Sequence, residues 1–172
     1  MSELQTKNDQ RHDDGKQRIT PDMTLIEFLA SPDEIGSKIC LIRGTVPPGV
    51  VVPLHSHRDL EIFYVLEGSV EAFRSEDNID RWTTAGVGAV VAIPGNVKHA
   101  WRSALSLPAS MVIATTAKMF EFFREITKPF DPDQPADLPG LEAMQELSKT
   151  AARYGFWIAS PEENTAIGLN FG

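Results

Sequence analysis

His55 and His57 stand one residue apart in a run of strand-forming residues, VVPLHSH. Along a strand alternate side chains share a face, so the two imidazoles point the same way and can share one ion. Glu61 follows a short connection, RDL, and opens a second strand-like run with Phe63 and Val65 on its face. His99 heads a later run directly after the turn PGNVK, with Trp101 and Ser103 on its face. Three imidazoles and one carboxylate form a mixed, borderline donor set. It suits a first-row transition ion and suits Ca²⁺ or Mg²⁺, which prefer oxygen shells, poorly. One divalent ion is therefore expected, iron or manganese first, with nickel, copper and zinc compatible with the same donors. Four protein ligands on an ion that accepts five or six leave room for water, dioxygen or a substrate oxygen. Taken alone, an HxH pair also reads as an exposed pair or as two hydrogen-bonded core histidines.

The elements that must position these residues follow from the pattern around them. From Ser37 onward, Val, Ile, Leu and Phe occur in strand-length runs broken by Gly, Pro and Asn, which predicts a sandwich or barrel. Candidate strands are residues 38–46, 50–57, 61–66, 69–74, 87–93, 98–103 and 110–116. Before them, Thr20 with Pro21 and Asp22, or Thr24 with Glu27, offers a helix start ahead of LIEFLA, so a short N-terminal helix is expected. After Thr116, Met119, Phe120, Phe123 and Ile126 fall on one side of a helix. A proline-rich link over 128–139 leads to a second helix with the stripe Leu141, Met144, Leu147, Ala151 and Tyr154, ending near Gly155. Ser160, Pro161, Glu162 and Glu163 suggest one helical turn after a short strand. The helix pair is expected to close one end of the barrel.

Length and composition bound what this site can serve. The 172 residues fit one domain, with 42% hydrophobic and 23% charged residues. Residues 1–18 carry few apolar side chains and read as a disordered arm, leaving 19–172 as a single domain, and His12 in that arm is set aside as a solvated histidine. A net charge of −8 and a pI near 5.0, with no basic, aromatic-interleaved window, argue against a nucleic-acid partner. No run approaches the roughly 18 apolar residues that span a bilayer, and the N-terminus lacks a secretory core, so no membrane partner and a cytoplasmic location are expected. The lone Cys40 reads as a small buried apolar side chain. Trp82 and Trp157 read as core.

The spacing of Gly49, His55, His57, Glu61 and Gly68 reproduces in full the first motif of the cupin superfamily, and Gly88, Pro94 and His99 reproduce most of the second. The chain thus resembles that superfamily over about residues 37–117, with residues 118–172 as a helical extension similar to the tail of small bacterial cupins of the quercetin-dioxygenase-like group. Asn96 stands where the family usually has glycine, and Ser103 where it usually has asparagine, which removes an amide that braces the barrel. The resemblance implies a mainly β fold, a double-stranded β-helix or jelly-roll barrel, holding one metal ion through His55, His57, Glu61 and His99. It implies an oxidoreductase of dioxygenase type acting on a small oxygenated organic molecule, with Glu61 as catalytic base and Trp101 and Phe63 in the substrate pocket. A non-catalytic binding or sensor cupin and a metal-dependent isomerase or lyase are the alternatives. Related cupins commonly pair through their sheets, which implies a homodimer with Ile62, Tyr64 and Leu66 as candidate contact residues.

Overall fold

The computed structural model describes residues 17–19, 24–77, 79–103, 107–129 and 141–169. In chain order the elements are β1 (Gln17–Ile19), β2 (Leu25–Ala30), β3 (Ile39–Val46), β4 (Val51–Ser56), β5 (Glu61–Glu67) and β6 (Ser69–Glu76). They continue with β7 (Ile79–Gly86), β8 (Val90–Ile93), β9 (Lys98–Ser103), β10 (Ala109–Thr116), α1 (Ala117–Ile126), β11 (Thr127–Pro129), α2 (Leu141–Arg153), β12 (Trp157–Ile158) and α3 (Pro161–Ala166). The strands form a seven-stranded sheet, β11-β1-β2-β3-β10-β5-β8, and a five-stranded sheet, β12-β4-β9-β6-β7. All recorded pairings are antiparallel.

Alternation builds the core. In β3, Cys40, Ile42, Gly44 and Val46 turn inward, and in β5 Glu61, Phe63 and Val65 do, while Ile62 and Tyr64 face out. These side chains meet Val70, Ile93, Trp101, Met111 and Ile113 between the sheets. A second cluster lies on the outer face of β4, β6 and β9, where Leu54, Phe73 and Ala100 are covered by Ala159 and Leu169 of the C-terminal segment. A third joins α1 and α2 through Met119, Phe122, Ala151 and Phe156. Among the described residues no helix is long and apolar enough to cross a membrane.

The seven expected strands are present with small shifts of boundary; the run expected over 87–93 begins only at Val90, because Gly88 takes a left-handed conformation (φ 82°) in a turn. The expected helix at LIEFLA is a correction. It is β2, paired with β3 from Leu25↔Thr45 to Ala30↔Leu41. Burying Ile26 against the barrel while leaving Leu29 exposed satisfies both the backbone and the apolar faces in a way an isolated two-turn helix could not. Thr20, Pro21 and Asp22 lie outside the described residues. So do residues 1–16 of the expected arm, including His12, whereas Gln17 and Arg18 open β1. Strand β7 escaped prediction because IDRWTTAG is an edge strand that buries only Ala85 and half-buries Trp82, so no hydrophobic alternation marks it. The helix expected after Thr116 is α1, capped by the Thr116 hydroxyl, which accepts from the Met119 N–H. Lys128 and Pro129 of the expected link belong to β11, and the rest of the link lies outside the described residues. The turn at 160 is α3, with Ser160 and Glu163 forming a reciprocal capping box.

Strand pairing at β2 makes a testable distinction. Ile26→Ala is expected to cost about 2–4 kcal/mol in urea denaturation as a core truncation, while Leu29→Ala costs less than about 0.5 kcal/mol. Comparable losses at both positions would indicate that they share a helical face.

Candidate metal centre

β4 and β9 bring His55 directly opposite His99. Simple alternation does not achieve this alone. Between the pairs Val52↔Trp101 and His55↔His99, β4 contains one more residue than β9, a bulge at Pro53, whose missing N–H makes it a natural site for one. The bulge re-aims the strand, so that Val52 and Pro53, adjacent in sequence, both line the interior and His55 still points inward. His57 follows directly after β4, and Glu61 opens β5 opposite Ile93. The ligand-type atoms of His55, His57, Glu61 and His99 all lie within 4.8 Å of one another. Imidazole centroids are 4.1 Å apart for His55 and His99 and 5.1 Å apart for His57 and His99. The four residues singled out by spacing thus converge.

Each imidazole is oriented by a backbone carbonyl. Nδ1 of His55 lies 2.8 Å from Pro53 O, that of His57 3.0 Å from Asp59 O, and that of His99 2.9 Å from Val97 O. A carbonyl can only accept, so the proton sits on Nδ1 and each neutral ring presents its Nε2 lone pair to the centre. There Glu61 Oε2 lies 3.1 Å from His99 Nε2 and 3.3 Å from His57 Nε2. Buried lone pairs facing a carboxylate repel unless a proton or a cation stands between them. The buried His57 Nε2 has no hydrogen-bond partner.

The titration behaviour expresses the same tension. Burial, reinforced by neighbouring His99, pushes the His55 imidazole down to about 3. At His57 burial also acts downward, but the Glu61 carboxylate 3.3 Å away outweighs it, and the pKa is raised. Burial would raise Glu61; the adjacent imidazoles of His57 and His99 overcome that and hold the carboxyl well below its usual range. The cluster therefore recruits positive charge. A borderline divalent ion satisfies the orphaned Nε2, the other two lone pairs and the carboxylate together, so the donor set fits a transition metal.

The corner carrying His57 and Glu61 is pinned from three sides. The Asn96 N–H donates to His57 O at 2.6 Å, and Asn96 holds φ 68°, the left-handed conformation that asparagine tolerates, so its presence in place of glycine is accommodated. Gly95 packs so closely that a Cβ there would meet Arg58 O at 2.3 Å. From β10, the Thr115 hydroxyl donates to Leu60 O at 2.8 Å and that of Thr116 to Asp59 Oδ1 at 2.6 Å. Asp59 thus links His57 to the cap of α1. Sequence reasoning missed it, since an aspartate in a polar connection looks like any solvated turn residue. Ser103 does not leave the barrel unbraced: its hydroxyl donates to Pro47 O at 2.6 Å and accepts from the Val50 N–H at 3.1 Å.

Beside the four residues lies a cavity of about 150 Å³. Phe63 and Trp101, whose rings stand 4.3 Å apart, form part of its wall, where their strand faces place them. The helical extension supplies Met119, Phe122, Phe123 and Phe156, and the Phe156 ring lies 5.1 Å from that of His57. The expected closure of one barrel end by the helix pair is therefore also a contribution to the cavity wall. Trp82 packs on Phe73, away from the cavity, and Trp157 belongs with the outer cluster, as expected for core residues.

Residues 42–115 match the Cupin domain family model, a span that takes in β4 to β9 and most of β3 and β10. Among solved structures, the chain is similar to the polyketide cyclase RemF from Streptomyces resistomycificus, with 21% identity, a TM-score of 0.55 and coverage of 64% of this chain and 79% of that one. It is similar to a predicted oxalate decarboxylase from Thermotoga maritima, with 19% identity, a TM-score of 0.52 and coverage of 62% and 96%. It also resembles an oxalate decarboxylase from Bacillus subtilis, with 16% identity, a TM-score of 0.53 and coverage of 60% of this chain and only 27% of that one. The chain thus spans about a quarter of that longer enzyme. No curated protein matches the sequence. At these identities the likeness carries the fold and not the activity.

Gly95→Ala is expected to force the Arg58 backbone away and to destabilise the protein by about 2–3 kcal/mol, a severe effect for one methyl group. Thermal or urea denaturation against Gly86→Ala, where a Cβ meets nothing within 4 Å, provides the control.

Proposed function

We propose that the protein is a metal-dependent cupin oxidoreductase of dioxygenase type that acts on a small oxygenated organic molecule. The observation that carries this reading is the convergence of three carbonyl-oriented Nε2 atoms and one buried carboxylate beside an apolar pocket. His55, His57, Glu61 and His99 would hold one divalent ion, iron or manganese before nickel, copper or zinc. Bound there, such an ion supplies Lewis acidity and, if redox-active, electron transfer to dioxygen. The remaining work belongs to the chain. Trp101 and Phe63 exclude water and orient the substrate against the ligands. Glu61 is the catalytic residue. Its Oε2 faces the centre, and a carboxylate at that position can accept the proton of a substrate hydroxyl.

The assembly expected with this reading is a homodimer. Ile62 and Tyr64 are 38% and 45% exposed on the outer face of β5, beside Val90 at 64% on β8, with Leu66 half-buried at the edge of the same patch. Light scattering should return twice the 19.0 kDa chain mass; a monomer at micromolar concentration would remove the dimer from the proposal.

Metal analysis of protein purified without chelator should find close to one transition ion per chain, with His55→Ala and His99→Ala losing it. Glu61→Gln keeps size and an oxygen donor but little basicity, so it should retain much of the metal and lose about 10²- to 10⁴-fold in turnover. Normal turnover at full occupancy would remove the base role. Oxygen electrode measurements separate the dioxygenase reading from lyase or isomerase chemistry, since turnover that persists without oxygen overturns it.

A further inference from the structure

The cavity wall is almost wholly hydrocarbon. Apart from His55, His57 and Glu61, the side chains that carry polar groups among the described lining residues are Thr24, Trp101, Arg102 and Ser103. The Ser103 hydroxyl is committed to Pro47 O and the Val50 N–H. Arg102 is turned to the outer face: its Nε donates to Glu71 Oε2 at 2.6 Å, and its guanidinium lies 4.3 Å from the centre of the Trp82 ring. The lining residues therefore offer no free cation to a second acidic group. Against this, Ile26, Met111, Ile113, Phe122 and Ile126 present only carbon and sulfur.

From this wall we infer that the ligand is an apolar molecule that buries about one ring beside the cluster and bears one hydroxyl or enolisable oxygen, and that dicarboxylates are excluded. The inference rests on the proposed metal centre for the polar end of the ligand only. Charge sets that end. A divalent ion with the Glu61 carboxylate carries one net positive charge, which one deprotonated oxygen neutralises. A dianion would leave an unpaired negative charge beside hydrocarbon, and an unpaired buried charge is strongly disfavoured. Size sets the buried part of the body, since about 150 Å³ of apolar space in this partly open pocket accepts a benzene ring. Gly44 lies in this wall, where an added methyl would sit 3.6 Å from Ile113 Cδ1 and 4.0 Å from Met111 Cγ, ordinary contacts that take up space without a clash.

The test is calorimetric titration of the full chain, metal-loaded and chelator-stripped, with phenol, 4-methylphenol and succinate, alongside metal analysis of every sample. Both phenols should bind the loaded protein, at least tenfold more tightly than succinate. Gly44→Ala should weaken 4-methylphenol by roughly tenfold, the effect of about one methylene in an apolar pocket, with metal content unchanged. Thermal denaturation of Gly44→Ala checks that the variant is folded. Succinate binding as tight as the phenols, or loaded protein that binds neither phenol, overturns the ligand class and leaves the metal centre standing. If the protein takes up no metal yet binds the phenols in a manner sensitive to Gly44→Ala, the metal centre falls and the apolar ligand class stands.

Discussion

Glu61 Oε2 sits between two imidazole nitrogens, at 3.1 Å from one and 3.3 Å from the other, in a buried space where solvent cannot relieve it. The arrangement is self-repelling in its neutral-histidine form, because each Nδ1–H is fixed on a backbone carbonyl and each Nε2 is thereby directed inward. Such a cluster persists only where its surroundings over-determine it. The surroundings here are a bulge at Pro53, a glycine pressed against Arg58 and a left-handed asparagine that donates to the His57 carbonyl. The stability that keeps these strained donors together comes from the apolar core beneath them, where Ile42, Val65 and Ile93 are fully buried.

The same constraint explains why the helical extension belongs to the site. Thr116 ends β10, caps α1 and donates to Asp59, whose own carbonyl orients His57. One hydroxyl thus couples the start of the extension to an imidazole of the cluster. Downstream, Phe156 lies against His57, and Phe122 packs on Phe156 at 4.8 Å between centroids. The wall and the donors are set by one network, so a shift of α1 would be felt at the corner carrying His57 and Glu61.

The four clustered residues were legible from spacing because an HxH pair, a carboxylate after a short corner and a histidine heading a later strand each report a local geometry. Their convergence is now observed, but alternation alone does not produce it; the Pro53 bulge does, and a single proline in a strand does not announce which residues it re-aims. LIEFLA misled for a related reason: capping signals are local, while pairing with β3 is not, and a non-local ladder overrode the propensity. Asp59 and Ser103 were opaque because their hydrogen bonds run to Thr116 and Pro47, partners far away in sequence. The exposed edge β7 left no apolar pattern to read.

A barrel shared with a polyketide cyclase and with oxalate decarboxylases, at 16–21% identity, leaves chemistry undetermined. What differs among proteins on one scaffold is the wall facing the donors. In this chain that wall is made by inward positions of β2 to β6, β9 and β10 together with α1, α2 and the segment after it, and its arginine is drawn to the outer face by Glu71 and Trp82. A second carboxylate on the ligand needs a further partner charge, and moving Arg102 inward to provide one would break its ion pair and leave Trp82 uncovered. The outer face of β9 and the selectivity of the inner one are therefore linked through one side chain, although Arg102 itself need never touch a ligand.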